Sequence, residues 1–346
     1  MDDFNLCVLI SCNGEKVNWQ VFDMFFMYIF IDIQTAIVYI AWYLWTARLS
    51  MDHPFRKKAG SNGMNLYYSP HCIEYSHEGH PESSDRILST GAYLKNEGYT
   101  FLQPAPADRE DILRVHTEAM VEAVETGCFS DPDTPVLPDI DRYAKLAAGS
   151  AVMAAESAIR GEPAFSLMRP PGHHATADRV MGFCYFNNIA VAAARYLYRN
   201  PDSKVAILDI DCHHGNGTET IFLGNDAVLY VSLHQSPLFP GTGLQSRQNC
   251  MNFPLEPGTE EKTYLETLEK ACGLVDAFQP SLLGISAGFD TYKSDPLAHL
   301  QLDMDTYYQI GRMIADLKLP AFAVLEGGYS HDLPQCVGRF LDGIQS

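Results

Sequence analysis

The sequence predicts an α/β fold in which a mostly parallel central sheet is flanked by helices and the functional site lies at the carboxyl ends of the strands. Three observations carry this. Short runs rich in Val, Ile, Leu and Phe recur at 164–168, 205–211, 227–234, 282–290 and 321–329. Helical patterns at 142–159, 188–198, 264–278 and 306–317 separate most of them, and such alternation implies a parallel sheet covered on both faces. Each apolar run is followed directly by a polar cluster, where ligands gather in sheets of this kind.

The elements bear this out in order. RPPGHH follows the run at 164–168, DIDCHHGNG closes 205–211, SLHQSPLFPGTG closes 227–234, SAGFD closes 282–290 and EGGY closes 321–329. Five strand ends converging on one rim make a stronger signal than any one motif. A strand-like NLYYSP follows Met64, so residues 64–346 read as one domain.

Composition narrows the classes. With 47% hydrophobic and 19% charged residues in 346, the chain can bury a substantial core. A formal net charge of −19, with no Lys/Arg stripe to offset it, argues against nucleic acid and is compatible with cationic substrates. The nine cysteines are odd in number and scattered without a C-x-x-C pair, as expected of reduced thiols in the cytoplasm.

Residues 1–63 differ from the rest and hold all three tryptophans, Trp19, Trp42 and Trp45. Residues 21–45 are long enough to cross a bilayer at roughly 20 residues per span, yet Asp32 and Gln34 fall mid-span, where an Asp costs about 2.5–3.5 kcal/mol. Arg48, Arg56, Lys57 and Lys58 would keep the C-terminal part in the cytoplasm if the segment were an anchor. The favoured reading is an aromatic extension with no part in the chemistry, ahead of a functional unit that begins at Met64.

In DIDCH, period-two alternation sends Asp209, Asp211 and His213 to one side of an extended chain. Asp211 and His213, with Asp290 at the end of a neighbouring strand, make a donor set suited to Zn²⁺ that leaves a coordination position open. A hydrogen-bonded Asp–His pair capping a strand is the plain alternative. The same alternation turns His214 away. His173 and His174 lie on a loop stiffened by two prolines and can serve as general base and acid if partners set their tautomers. Tyr329 follows Gly327 and Gly328, whose freedom lets the phenol turn into a cavity and support an oxyanion; a core tyrosine is the alternative.

Together RPPGHHA (169–175), GFCYFNN (182–188), DIDCHHGNGT (209–218), SLH with FPGTG (232–243), SAGFD (286–290) and LEGGY (325–329) resemble the zinc-dependent histone deacetylase superfamily, in its class II and acetylpolyamine amidohydrolase branch. The resemblance runs from about Met64 to the C-terminus and leaves out residues 1–63. It implies the arginase/deacetylase-like fold and a hydrolase that removes acetyl or other acyl groups from acyl-lysine or from a small acylated amine. It implies one Zn²⁺ held by Asp211, His213 and Asp290, with His173 and His174 as the tandem pair, Asp209 and Asn216 as their partners, and Tyr329 as the catalytic tyrosine. Phe183 and Phe239 would wall an acyl-lysine tunnel with Gly182 as its floor and Leu297 at its rim. A structural K⁺ is implied near Asp209, Asp211, His213, Ser232 and Leu233.

Leu297 offers no charge to a distal ammonium, and the loop at 126–142 is short, both favouring acyl-lysine; FDTYKSDPL resembles the amidohydrolases and keeps polyamines open. Two remoter readings are a binuclear manganese ureohydrolase of the arginase type and a non-catalytic acyl-lysine binder. The first would need carboxylates where His214 and Asn216 stand, and the second would be expected to have a broken ligand set.

Overall fold

In the strand Val205–Asp209 (β4), Val205 and Ile207 join one apolar cluster while Ala206 and Leu208 join another, so the strand is buried on both faces. This is why its sequence is an unbroken apolar run rather than an alternation. The same holds along the sheet, as the computed structural model, which describes residues 63–346, makes plain. The other strands are Asn65–Tyr67 (β1), Phe101–Leu102 (β2), Ala164–Ser166 (β3), Val228–Gln235 (β5), Cys250–Leu255 (β6), Leu282–Ala287 (β7) and Ala321–Leu325 (β8). All eight are parallel, in the order β2-β1-β3-β8-β7-β4-β5-β6.

Helices Ile140–Ile159 and Asn188–Arg199 cover one face; Glu261–Phe278, Met304–Ala315 and Leu333–Ile344 cover the other. Helix Asn188–Arg199 starts where Asn187 accepts a hydrogen bond from the Ala190 amide, and its buried stripe runs through Ile189, Ala190, Val191, Ala192 and Ala193. Helix Ile140–Ile159 is rich in alanine, and at Gly149 an added Cβ would lie 2.0 Å from the Ala105 carbonyl oxygen, so that approach requires glycine.

The five strands with polar tails, β3, β8, β7, β4 and β5, are consecutive in the sheet. Their tails therefore meet at one edge although they are far apart in the chain. The strands are shorter than the apolar runs suggest: β4 stops at Asp209, β7 at Ala287 and β8 at Leu325. Asp211, Asp290 and Tyr329 thus stand on the loops beyond, where the backbone must bend to aim them. Phe101–Leu102 and Cys250–Leu255 have no counterpart among the expected strands; the first is two residues long and the second carries Asn252 and Pro254, which break the apolar pattern. Among the described residues no helix is long and apolar enough to cross a membrane. The segment at 21–45 and the rest of the aromatic extension lie outside the described residues, apart from Gly63.

Candidate active site

Beyond β4 the chain folds back on itself, and backbone amides aim the carboxylates. Asp211 Oδ1 accepts the His213 N–H at 2.8 Å and Oδ2 accepts the Gly327 N–H at 2.7 Å; Asp290 Oδ1 accepts the Cys212 N–H at 2.7 Å. His213 Nδ1 lies 3.2 Å from Asp211 Oδ1 and 2.8 Å from Asp290 Oδ2. Two glycines make room: a Cβ on Gly288 would sit 2.1 Å from Asp211 Oδ2, and one on Gly327 would sit 2.4 Å from Asp290 Oδ2.

Donor atoms of Asp211, His213 and Asp290 all lie within 4.8 Å of one another. Zinc bonds of about 2.0–2.1 Å meeting at tetrahedral angles place donors about 3.3 Å apart, so this N/O set fits such an ion. Charge points the same way. Burial, reinforced by the charge on Asp211, pushes the Asp290 carboxyl up to about 7. Burial also opposes ionisation of Asp211, but the imidazoles of His173 and His213 hold it far below the usual carboxylate range. Two buried carboxylates against one imidazole form a set that a divalent cation would neutralise.

Asp209 does not share this cluster and lies against His173, although strand alternation alone would put it on the same side as Asp211 and His213. The strand ends at Asp209 and the chain bends at 211–213, and the Asp209 side chain is held elsewhere: Oδ2 faces His173 Nδ1 at 3.1 Å and accepts the Tyr230 hydroxyl at 2.9 Å, while Oδ1 accepts the Asp211 N–H at 3.2 Å. His174 Nδ1 lies 2.8 Å from Asn216 Oδ1. An amide oxygen only accepts, so this bond puts the proton on His174 Nδ1 and leaves Nε2 with a free lone pair. The two rings are 4.0 Å apart.

Their charges are driven apart. For His173 burial works against protonation, but Asp211 and Asp209 outweigh it and raise the pKa to about 10. For His174 burial and the positive charges of His173 and His213 act together, and its pKa falls well below the ordinary value. These opposite shifts favour a neutral His174 beside a charged His173, an arrangement that separates proton acceptor from electrostatic support.

A cavity of about 240 Å³ opens onto these groups, lined among others by His173, His174, Gly182, Phe183, Phe239, Leu297 and Tyr329, together with Asp211 and His213. Phe183 meets the Tyr329 ring edge-on at 5.9 Å, and Phe239 meets His174 edge-on at 5.1 Å. Gly182 has φ +58° and packs so tightly that a Cβ would lie 2.6 Å from the His174 ring. Tyr329 is aimed by its loop: Gly328 has φ +117°, and the Tyr329 N–H donates to Asp295 Oδ2 at 2.6 Å. Burial raises its phenol well above the ordinary value, so it stays a proton donor.

Ser232 and Leu233 are buried on β5, with Ser232 in register with Asp209. His214 turns from the metal donors: Nδ1 is 2.7 Å from Thr242 Oγ1 and Nε2 is 3.2 Å from Glu219 Oε2. It thereby braces the loop that carries Phe239. Sequence reasoning missed Asp133 and Leu238, which also line the cavity, and Asp295, whose Oδ1 accepts the Leu297 N–H at 3.0 Å while Oδ2 holds Tyr329. Asp295 stands in the quoted SDPL stretch, but nothing in the spacing indicates that one carboxylate joins rim and phenol.

The parallel sheet and a candidate metal-donor triad beside paired histidines define the class of hydrolases of α/β architecture with a candidate metal centre. More particularly, residues 80–344 match the histone deacetylase domain, and the chain belongs to that family of hydrolases acting on amides. It is 39% identical over 293 residues to a probable deacetylase of Methanothermobacter thermautotrophicus, covering 80% of this chain and 88% of the relative. A histone deacetylase-like amidohydrolase of Pseudomonas aeruginosa is 35% identical over 298 residues, covering 78% of each chain. The crystal structure of an acetylpolyamine aminohydrolase from Burkholderia pseudomallei superposes with a TM-score of 0.76 at 28% identity, covering 81% of this chain and 98% of that one.

Proposed function

We propose that residues 64–346 form a zinc-dependent deacetylase that cleaves the amide of an acylated lysine or of a small acylated amine. The observation that carries this reading is the meeting of His174, Tyr329 and two of the three metal donors, Asp211 and His213, at one cavity of about 240 Å³, with Asp290 beside them. Asp211, His213 and Asp290 would hold one Zn²⁺, which when bound supplies a Lewis acid for the acyl carbonyl and acidifies a water.

The chain's own groups do the rest. Phe183 and Phe239 hold the alkyl stem between apolar faces and exclude bulk water. Tyr329 donates its phenolic proton in a hydrogen bond to the carbonyl oxygen as negative charge develops there. His174 Nε2, unprotonated, accepts the proton of the attacking water and later delivers it to the leaving amine; Asn216 keeps its tautomer. His173, charged against Asp209, stabilises the developing negative charge. Asp209, Asp211, His213, Ser232 and Leu233 would also surround a structural K⁺, a reading supported by the buried register of β4 with β5.

Leu297, Leu238 and Phe239 at the cavity support acyl-lysine peptides as substrates. Asp133, exposed at the same cavity, supports the second reading, an acylated polyamine whose distal ammonium it would attract. A binuclear manganese site is disfavoured because His214 and Asn216 are engaged by Glu219, Thr242 and His174. The seven free cysteines among the described residues support a reducing, cytoplasmic setting.

The test is a panel of acetyl-lysine peptides, acetylputrescine, acetylspermidine and longer acyl-lysines, run on zinc-loaded protein. Turnover of any acetylated amine is expected. No turnover of the whole panel, or two manganese ions in the purified protein, would overturn the reading.

A further inference from the structure

We propose that Glu326 is a positioning residue that holds the tandem-histidine loop in register through its backbone amides. This rests on the reading of His173 and His174 given above and extends it to a residue that touches neither the cavity nor the metal donors.

Glu326 follows β8 directly and is fully buried. Its backbone is tied on both sides: its N–H donates to the Ala287 carbonyl at 3.0 Å, and its own carbonyl accepts from Arg86 Nη2 at 2.6 Å. The side chain reaches across to the tail of β3, the neighbouring strand, where Ser166 is in register with Val324. There Oε2 accepts the Gly172 N–H at 2.7 Å and the His173 N–H at 3.1 Å, while Oε1 accepts the Ser286 hydroxyl at 3.2 Å.

These bonds complete a three-point hold on His173. Its N–H goes to Glu326, its carbonyl accepts the Thr218 N–H at 3.1 Å, and its ring nitrogen faces Asp209. The loop has no slack to adjust, because a Cβ on Gly172 would already lie 2.4 Å from the Asn188 nitrogen. Without an acceptor at Glu326, two adjacent buried N–H groups would be orphaned in the loop that aims both imidazoles. A carboxyl group is costly to bury, and here its bonds to the Gly172 and His173 amides and the Ser286 hydroxyl offset that cost.

The geometry separates hydrogen bonding from charge. In Glu326→Gln the amide oxygen can still accept from both loop amides, and the NH₂ can donate to Ser286 Oγ; Glu326→Leu removes every acceptor at similar volume. Glu326→Asp keeps the carboxyl group but withdraws it by one methylene, and it carries the test if the leucine variant does not fold. With zinc-loaded full-length protein and an acetyl-lysine fluorogenic amide, the leucine variant is expected to lose about 100-fold in kcat, as a misplacement of about 1 Å would produce. KM should stay within about twofold and bound zinc should stay at the wild-type level. The aspartate variant should fall at least about tenfold, and glutamine should restore kcat to within about threefold of wild type. Wild-type kcat in the leucine or aspartate variant, or a glutamine variant as impaired as leucine, would overturn the proposal. Turnover by the wild-type protein tests the underlying reading separately, since only the variant-to-wild-type ratio bears on Glu326.

Discussion

His116 lies beneath the catalytic loop, away from the metal donors, and its protonation offers a measurable link between acid and loop stability. It is 3% exposed; Nε2 accepts the Asn187 N–H at 2.9 Å and Nδ1 faces the Thr176 carbonyl at 2.9 Å. Both ring positions are thus used by the neutral form, and a second ring proton would point at an N–H. Burial lowers its pKa from 6.5 to about 4, against the smaller support of backbone bonds from Thr176 and Ala177. The unfolded chain therefore binds a proton at His116 between about pH 6.5 and 4 while the folded chain does not, so stability is fully present above 6.5 and falls as the pH drops through this window. At about 1.4 kcal/mol per pH unit the full gap is worth about 3.5 kcal/mol, of which about 3 is lost by pH 4, where the folded-state group is half protonated. Urea unfolding of wild type and His116→Gln at pH 7 and pH 4 isolates the effect, because every other titrating group is common to both. Wild type should lose about 3 kcal/mol more than the variant. Parallel losses would refute the reasoning.

Four further outcomes follow from the geometry. Tyr329→Phe should lower kcat by about 10²–10³ while zinc content stays at the wild-type level; undiminished turnover would remove the phenol from the reaction. Asp290→Ala should cost at least about tenfold in zinc affinity, measured by competition with a chelator, and unchanged affinity would exclude Asp290 as a ligand. Arg169 is paired with Glu82 by bonds of 2.6 and 2.7 Å and both are buried, so Arg169→Met, which leaves the carboxylate only the longer bonds from Arg86 at 3.3 Å and the Tyr75 hydroxyl at 3.4 Å, should destabilise by about 3 kcal/mol in thermal or urea unfolding. An equally stable variant would show that Arg86 alone is enough to hold the buried Glu82 carboxylate. Thr242→Val removes the His214 bond that braces the Phe239 loop, and it should raise KM for the acylated amine several-fold with little change in kcat. A selective fall in kcat would place the loop's influence on the chemistry instead.

The tandem histidines and the metal donors show how far sequence goes. Asp211, His213, Asp290, His173, His174 and Tyr329 could be singled out in advance from the polar clusters that follow the apolar runs, whereas Asn216 is picked out by the family resemblance. The alternation argument for DIDCH put Asp209 on the same side as Asp211 and His213, whereas its side chain faces His173 and Tyr230. Alternation holds only while the chain is extended, and β4 ends at Asp209. Local pattern cannot tell where an apolar run stops being a strand, since that is decided by the last neighbour able to complete its ladder; Asp209 pairs with Ser232 and Ser286, and no pair follows.

By itself, then, the sequence determined the α/β class, the order of the strands' polar tails and the residue types able to bind a metal and move a proton. Periodicity and side-chain chemistry are local properties, and they are written residue by residue. Only the tertiary structure decided that β3, β8, β7, β4 and β5 lie side by side, that Asp295 joins Leu297 to Tyr329, and that Glu326 grips the loop of His173. Those contacts join residues 34 or more positions apart through backbone amides, except for the nearby Asp295–Leu297 bond. Every residue but proline carries such an amide, so no residue type announces which ones will be used.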